Sequence, residues 1–430
     1  MFTRDATGAA LLGGARLADL FDAGDLSTPA YVYDLDAIDA GAMALAAGFG
    51  SQRHLVAFAV KANSAGPIVR SLAALGVGID AVSGAEMALA LGAGTPADRI
   101  VMSGVAKTDA ELDAAIGVGA TGILSIQAES TEELPRIEAR AKALGRIARV
   151  SLRVNPGIEA DTHAYIATGH DEAKFGIPKA ELGAAIEAAL STPHIALVGV
   201  SSHIGSQLTS TEEYTTAARM LLDVVSGVDA ALAGVGRPAL ELVDFGGGFG
   251  IDYGDGCDAT PADFARAAAT LVKQARREHM LVVVEPGRSL VGSHGVLVAS
   301  TIMQKRARPN DAARRWVMID AGMNDLLRPA LYRAVHRIEG LESHEPAAEP
   351  TRIVGPVCES SDDFGTHALS EPPPKRVVIR DAGAYGFTMA SEYNGRALPI
   401  EVFLRNGAVS AVHTPRRVDA WVRERLGESG

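Results

Sequence analysis

The sequence predicts an α/β protein: a (β/α)8 TIM-type barrel plus a mostly β C-terminal domain. Three observations predict it. Short β-rich runs alternate with alanine-rich helical stretches from about residue 35 to 290, eight times over. Almost every run ends in a polar residue or a glycine. After about residue 290 the texture changes to short β-type segments with turn- and proline-rich gaps. Strand–helix alternation builds parallel sheets with helices outside, and eight units suit a closed barrel. An open doubly wound sheet is the alternative arrangement.

The runs, in order, are LVAFAVKAN, VGIDAVSG, RIVMSG, GILSIQ, ARVSLRVNP, LVGVSSHIGS, LELVDFGGG and LVVVEPGR. Between them lie AEMALALGAG, TDAELDAAIGVG, TEELPRIEARAKALG, KAELGAAIEAALS and EEYTTAARMLLDVVSGVDAALAG, in which Ala, Leu and Ile recur at helical spacing. Ser83 with Glu86 and Ser130 with Glu133 have the spacing of capping boxes at helix starts. The polar run ends are Lys61, Asp80, Ser103, Ser125, Asn155, His203, Gly246 and Glu285. In a barrel, C-terminal strand ends converge on one mouth, where barrel enzymes keep their chemistry. The β-type segments GVLVASTIMQKR, RWVMIDAG, RIVGPVCES, KRVVIRDAG and IEVFLRNG form the second domain. The expected boundaries are 35–290 for the barrel and 291–430 for the β domain, joined by residues 1–34.

Bulk properties narrow the function. The chain has 430 residues, 47% hydrophobic content and a formal net charge of -12. That charge argues against nucleic-acid binding and against attraction to an anionic membrane. Only Cys257 and Cys358 occur, too few for a disulfide framework, and reduced thiols fit a cytoplasmic protein. The opening MFTRDATGAALLGG lacks a basic start and a long apolar core, so no signal peptide is expected. No apolar run reaches spanning length.

Several strand-end residues can carry chemistry. Lys61 closes an apolar run; a lysine there is a candidate Schiff-base amine, or one that snorkels to water. Gly246, Gly247 and Gly248 let backbone N–H groups approach an anion, and barrels often bind phosphate after strands seven and eight. An unliganded glycine turn is the simpler reading. Glu285 is able to pair with a pyridinium nitrogen, or to form an ion pair with Arg288; Gly287 offers one more amide. His203 suits stacking on a planar cofactor, relaying a proton or a purely structural role. Cys358, followed by Glu359, is a candidate general acid or a structural thiol. There is no HExxH and no clustered Cys/His spacing, so no metal is expected.

Motifs in order from end to end resemble the fold-type III, alanine-racemase-like decarboxylases that use pyridoxal 5'-phosphate (PLP). They are TPAYVYD, FAVKAN, GIDAVSGAE, RVNPGIEADTHAYIATG, KFGI, HIGSQ, DFGGGFG, EPGR, RPALY, GPVCESSD and DAGAYGF. THAYIATG, KFGI and the Cys-Glu pair are more similar to the diaminopimelate branch than to the ornithine or arginine branches. The resemblance implies that Lys61 holds PLP covalently, with Asp80 and Glu86 nearby. It implies that His203 stacks on the ring and that Glu285 pairs with the ring nitrogen. It assigns Ser206, the triple glycine, Gly287 and Arg288 to the phosphate cradle. Arg288, Arg328, Tyr332, Glu359, Ser360 and Tyr385 are implied to bind substrate, with Tyr385 also near the cofactor. Cys358 is implied to be the proton donor, reaching with Glu359 from the second subunit of a homodimer. The implied reaction converts meso-diaminopimelate to L-lysine and CO2. Departures from the pattern are CESSDDFG for CESGD, THAYI for THPYI, and SEYNGRALPIEV for SNYNSRPRPAEV, where Glu392 replaces an amide. A decarboxylase of another diamino acid, a racemase of the same barrel and a non-catalytic relative are the competing readings. Glu285 speaks against the racemase, which tends to place arginine at the ring nitrogen. The presence of Lys61, Glu285 and Cys358 speaks against the non-catalytic relative.

Overall fold

The computed structural model describes residues 2–157, 174–306, 315–342, 349–415 and 418–428. The chain divides into two compact units. One comprises Asp39–Ile251 and Gly256–Ser289. The other comprises Met1–Ile38, Asp252–Asp255 and Leu290–Gly430.

The first unit is the expected barrel. Its strands, labelled in chain order, are β1 (His54–Ala59), β2 (Gly78–Ala81), β3 (Ile100–Met102), β4 (Ser125–Ala128), β5 (Ala148–Arg153), β6 (Ile195–Ser201), β7 (Leu242–Gly247) and β8 (Leu281–Glu285). All are parallel, and β8 pairs with β1 to close the ring. Sequences such as LVVVE are apolar on both faces because parallel barrel strands pack inward on side chains and outward on helices. Leu55, Ala57, Val101, Leu124, Val198, Leu242 and Val283 form one buried cluster from five strands and the residue before β4.

Local signals account for some helix starts. Ser83 caps the helix Gly84–Gly92 by accepting the Glu86 N–H at 3.2 Å. Thr108 and Glu111 make a full capping box for Asp109–Gly117. The Ser130–Glu133 box expected from spacing does not form. Glu133 turns inward instead, accepting the Glu129 N–H at 2.9 Å and pairing with buried Lys107 at 3.1 Å. A buried ammonium needs a counter-charge more than a helix start needs a reciprocal cap.

The second unit is mostly β, as the sequence predicts. The strand Gly295–Arg306 is its hub, pairing antiparallel with Arg315–Ile319, Arg376–Ile379 and the N-terminal strand Ala30–Asp34. Ala30–Asp34 also pairs parallel with Ile400–Arg405. Val32, Val296, Val298, Val378 and Val402 from these strands form part of one buried cluster. Asp363–Leu369, Ile338–Gly340 and Ala408–His413 are strands that the sequence reading did not separate from the gaps. No described helix is long and apolar enough to cross a membrane.

Candidate active site

Lys61 is not on β1 itself. It occupies the 3-10 turn Val60–Ala62 that follows the strand. Its side chain is 37% accessible, and its ammonium lies 3.0 Å from the Asp80 carboxylate, which is fully buried. Lys61 therefore opens to solvent, as in the snorkelling reading, while a buried carboxylate aims its amine. Asp80 is held on its other oxygen by the Ser103 hydroxyl at 2.5 Å. Consecutive strand ends thus supply amine, aiming carboxylate and anchor. Glu86 stands in the first turn of the helix after β2 and accepts the Val82 N–H at 2.8 Å. Burial pushes its carboxyl above the usual range.

On the other side of β1, Glu285 ends β8 and Asp244 sits in β7, and their carboxyls hydrogen-bond to each other. Burial is the main cause that raises both: Asp244 to about 6 and Glu285 well above the ordinary carboxylate value. Neighbouring Asp80 pushes them further in the same direction. Such a pair keeps one proton that neither carboxyl would hold alone in water.

Gly246, Gly247 and Gly248 follow from close backbone packing. A Cβ on Gly246 would strike the Ser202 carbonyl oxygen, one on Gly247 the Glu285 carbonyl, and one on Gly248 the Gly205 carbonyl. Gly246 and Gly248 also have positive φ, of 67° and 89°. The turns after β6, β7 and β8 are thereby drawn together. Arg288 donates to the Ser206 hydroxyl at 2.9 Å, tying the first of these turns to the last. Gly287 packs against Ala59 and Ala62, beside the Lys61 turn.

His203 accepts the Gly247 N–H at Nδ1, 3.2 Å away. That bond needs a bare Nδ1 and leaves the proton on Nε2. Burial, then the charges of Arg153 and Lys61, hold its pKa well below the ordinary histidine value. His203 is thus a neutral ring of fixed orientation, suited to stacking on a planar partner.

Three residues of this mouth escaped the sequence reading. Gln127 on β4 donates to both Asp244 and Glu285. Arg153, ending β5, pairs with Glu129 at 2.7 Å and lies over the Phe175 ring at 5.1 Å. Glu129 also accepts the N–H groups of Gly104 and Gly176. The available signal was a polar side chain inside an otherwise apolar strand. Ser125, taken as the polar end of the fourth run, is the first residue of β4 and lies inside, 3.1 Å from the Ser151 hydroxyl. The strand continues to Ala128, so the polar residue near its end is Gln127.

The β unit holds the remaining candidates. Cys358, Glu359 and Ser360 are exposed on one loop. Asp362 shapes that loop by accepting the Met323 and Val357 N–H groups, both at 2.6 Å. The Cys358 N–H donates to Asn394 Oδ1 at 2.9 Å, and the Tyr393 hydroxyl donates to Glu359 at 2.5 Å. The altered SEYNGR stretch therefore keeps the two residues that hold the Cys-Glu pair. Tyr393 is a further residue that the sequence reading missed. Arg328 is buried on the short helix Arg328–Tyr332; it bonds to His336 at 2.8 Å and lies 4.8 Å from the Tyr253 ring centroid. Tyr332 and Tyr385 are half-buried, and Tyr385 has a φ of 55°. The THAYIATG motif lies outside the described residues.

The barrel mouth fits PLP. It offers an accessible lysine amine, a buried carboxyl pair, a neutral histidine ring and a glycine-lined meeting of turns. Comparison with known proteins agrees. The family described as "Pyridoxal-dependent decarboxylase, pyridoxal binding domain" matches residues 35–292. A diaminopimelate decarboxylase of Neisseria meningitidis serogroup B is 39% identical, over 90% of this chain and 89% of its own. One from Pseudomonas aeruginosa is 38% identical over 96% and 95%. The crystal structure of the Helicobacter pylori diaminopimelate decarboxylase complexed with L-lysine is 36% identical, with a TM-score of 0.85 over 95% of this chain and 99% of that one. The enzyme from M. jannaschii in co-complex with L-lysine has a TM-score of 0.87 at 33% identity, over 99% and 97%.

Proposed function

Since the chain belongs to the diaminopimelate decarboxylase family, we propose that it carries PLP on Lys61 and uses it to convert meso-diaminopimelate to L-lysine and CO2. The chain is an enzyme, a PLP-dependent carboxy-lyase. When bound, PLP supplies an electron sink for the pair of electrons left as CO2 departs. The protein supplies everything else. Asp80 aims the Lys61 amine. Glu285 holds a proton at the ring nitrogen, His203 covers the ring, and the turns bearing Ser206, Gly246–Gly248, Gly287 and Arg288 hold the phosphate. Cys358 delivers a proton to the α-carbon. Glu359 binds the distal amine, while Arg288 or Arg328, with Ser360, Tyr332 and Tyr385, binds the substrate's carboxylates. The charged fork of arginine suits a planar carboxylate.

The observation that carries this reading is the accessible, carboxylate-aimed Lys61 on the same ring of strand ends as the Asp244–Glu285 pair. We further infer a cytoplasmic homodimer in which Cys358 and Glu359 serve the neighbouring subunit's site. Their exposure on one loop and the two reduced thiols support this.

Borohydride reduction of the PLP-loaded protein followed by peptide mapping places the pyridoxyl label on Lys61. A label on another lysine, or an enzyme that releases CO2 with Lys61→Ala, refutes the assignment. A substrate panel tests specificity. The distal carboxylate gives meso-diaminopimelate at least a ~10²-fold advantage in kcat/KM over lysine and ornithine, because those substrates leave a buried polar partner unmet. Equal rates with either would move the chain to a different diamino-acid decarboxylase.

A further inference from the structure

Gln127 lies on β4 with its side chain 2% exposed. Its Nε2 is 2.7 Å from Glu285 Oε1 and 2.9 Å from Asp244 Oδ2. One amide nitrogen thus spends both of its hydrogens on two carboxyls that are themselves hydrogen-bonded together. Asp244 is fixed at Oδ1 by the Gly246 N–H, at 2.9 Å. The other charged groups acting on the pair are Asp80, Lys61 and Arg153. Asp80 opposes ionisation of both carboxyls, Lys61 favours it for Glu285, and Arg153 favours it for Asp244. Gln127 is the uncharged donor common to both carboxyls, and it favours the ionised form of each without adding a cation beside the cofactor.

We propose that Gln127 is a positioning residue: its carboxamide clamps Glu285 beside Asp244 and makes Glu285 a weaker base opposite the ring nitrogen of PLP. This rests on the reading that Lys61 carries PLP and that Glu285 meets its ring nitrogen. A proton shared by Glu285 and the ring nitrogen resides on the stronger base. Donation from Gln127 weakens Glu285 as a base, so the proton stays on nitrogen. Without that donation the N–H bond breaks, an O–H bond forms on Glu285, and the ring becomes a poorer electron sink. No other bond changes.

The test uses Gln127→Leu, which keeps the bulk and loses both donors, and Gln127→Asn, whose amide sits one methylene short of the pair. Each protein is loaded with PLP carrying 15N in the ring, and the 15N chemical shift of the resting enzyme is read against pH. The wild type shows a protonated ring nitrogen. Gln127→Leu shifts the signal towards unprotonated pyridine, and Gln127→Asn does so to a smaller degree. In Gln127→Leu kcat falls about 10-fold to 100-fold with little change in KM, as for a lost hydrogen bond to a charged group. A nitrogen that stays protonated in both variants overturns the role, whatever happens to kcat. If Gln127→Leu fails to fold or load, Gln127→Asn decides by the same signal. A wild type that does not load PLP on Lys61 overturns the underlying reading and this role with it. A wild type that loads while both variants keep the proton overturns this role alone.

Discussion

Asp244 and Glu285 are two carboxyls in one buried site, and their environment decides what they do. Both are raised by burial, Asp244 to about 6. The unfolded chain holds such a side chain near 3.9. A folded value above the unfolded one means that the native state binds more protons between the two. The associated stability is fully present below about pH 4 and is lost as pH rises through about 6. Between about pH 4 and 6 the apo wild type therefore loses stability relative to Asp244→Asn, by up to about 1.4 kcal/mol per unit of pKa difference. Urea unfolding of both proteins across that range checks the slope, and parallel curves would refute it. At the other candidate position, the Tyr393 hydroxyl is the group seen holding the Glu359 carboxylate. Tyr393→Phe raises KM for meso-diaminopimelate about 2-fold to 10-fold, the worth of one ordinary hydrogen bond, and leaves kcat nearly unchanged. Steady-state kinetics with an unaltered KM would show that Tyr393 does not orient Glu359.

The loops after β3 and β4 are joined by a second lysine, whose role contrasts with that of Lys61. Lys107 is 3% exposed and donates to the Gly104 and Gln127 carbonyls, both at 2.7 Å, and to Glu133. All three ammonium protons are thereby used, which makes it a tie between elements rather than a nucleophile. Glu133 forms one anchor of that tie, and for this reason it does not cap its helix. Removing one partner of a buried ion pair leaves an uncompensated charge. Lys107→Ala therefore costs about 3–5 kcal/mol of stability while the pyridoxyl label remains on Lys61. Denaturant melts measure the first and peptide mapping the second. A loss below about 1 kcal/mol would mean the pair is as weak as a surface one.

The whole-molecule prediction concerns assembly. Cys358 and Glu359 stand exposed on one loop, with backbone and side chain both tied to the Tyr393–Asn394 turn. If they complete the site of a neighbouring subunit, two inactive variants repair each other. Mixing Lys61→Ala with Cys358→Ala under conditions that exchange subunits restores part of the CO2 release, because some heterodimers regain one intact site. Confirmed exchange without recovered activity excludes the shared site. Cys358→Ala alone turns over about 10²–10⁴-fold more slowly, the usual contribution of a positioned general acid, with cofactor loading unchanged.

Residue pattern alone determined the barrel, the β-rich second half and several strand-end groups of the candidate site, including Lys61, Asp80, His203, Gly246 and Glu285. The reason is that β–α alternation, apolar runs and glycine clusters are local, and a barrel collects strand ends at one mouth whatever its helices are. Tertiary structure decided what lies between those ends. Gln127 is five residues from Gly122 in one unremarkable run, yet its partners are 117 and 158 residues away. The aiming of Lys61 by Asp80, and the turning of Glu133 to Lys107 instead of its own helix, likewise depend on which strands become neighbours. Those choices follow from closing the ring and from the need of buried polar groups for partners. Neither leaves a periodic trace along the chain.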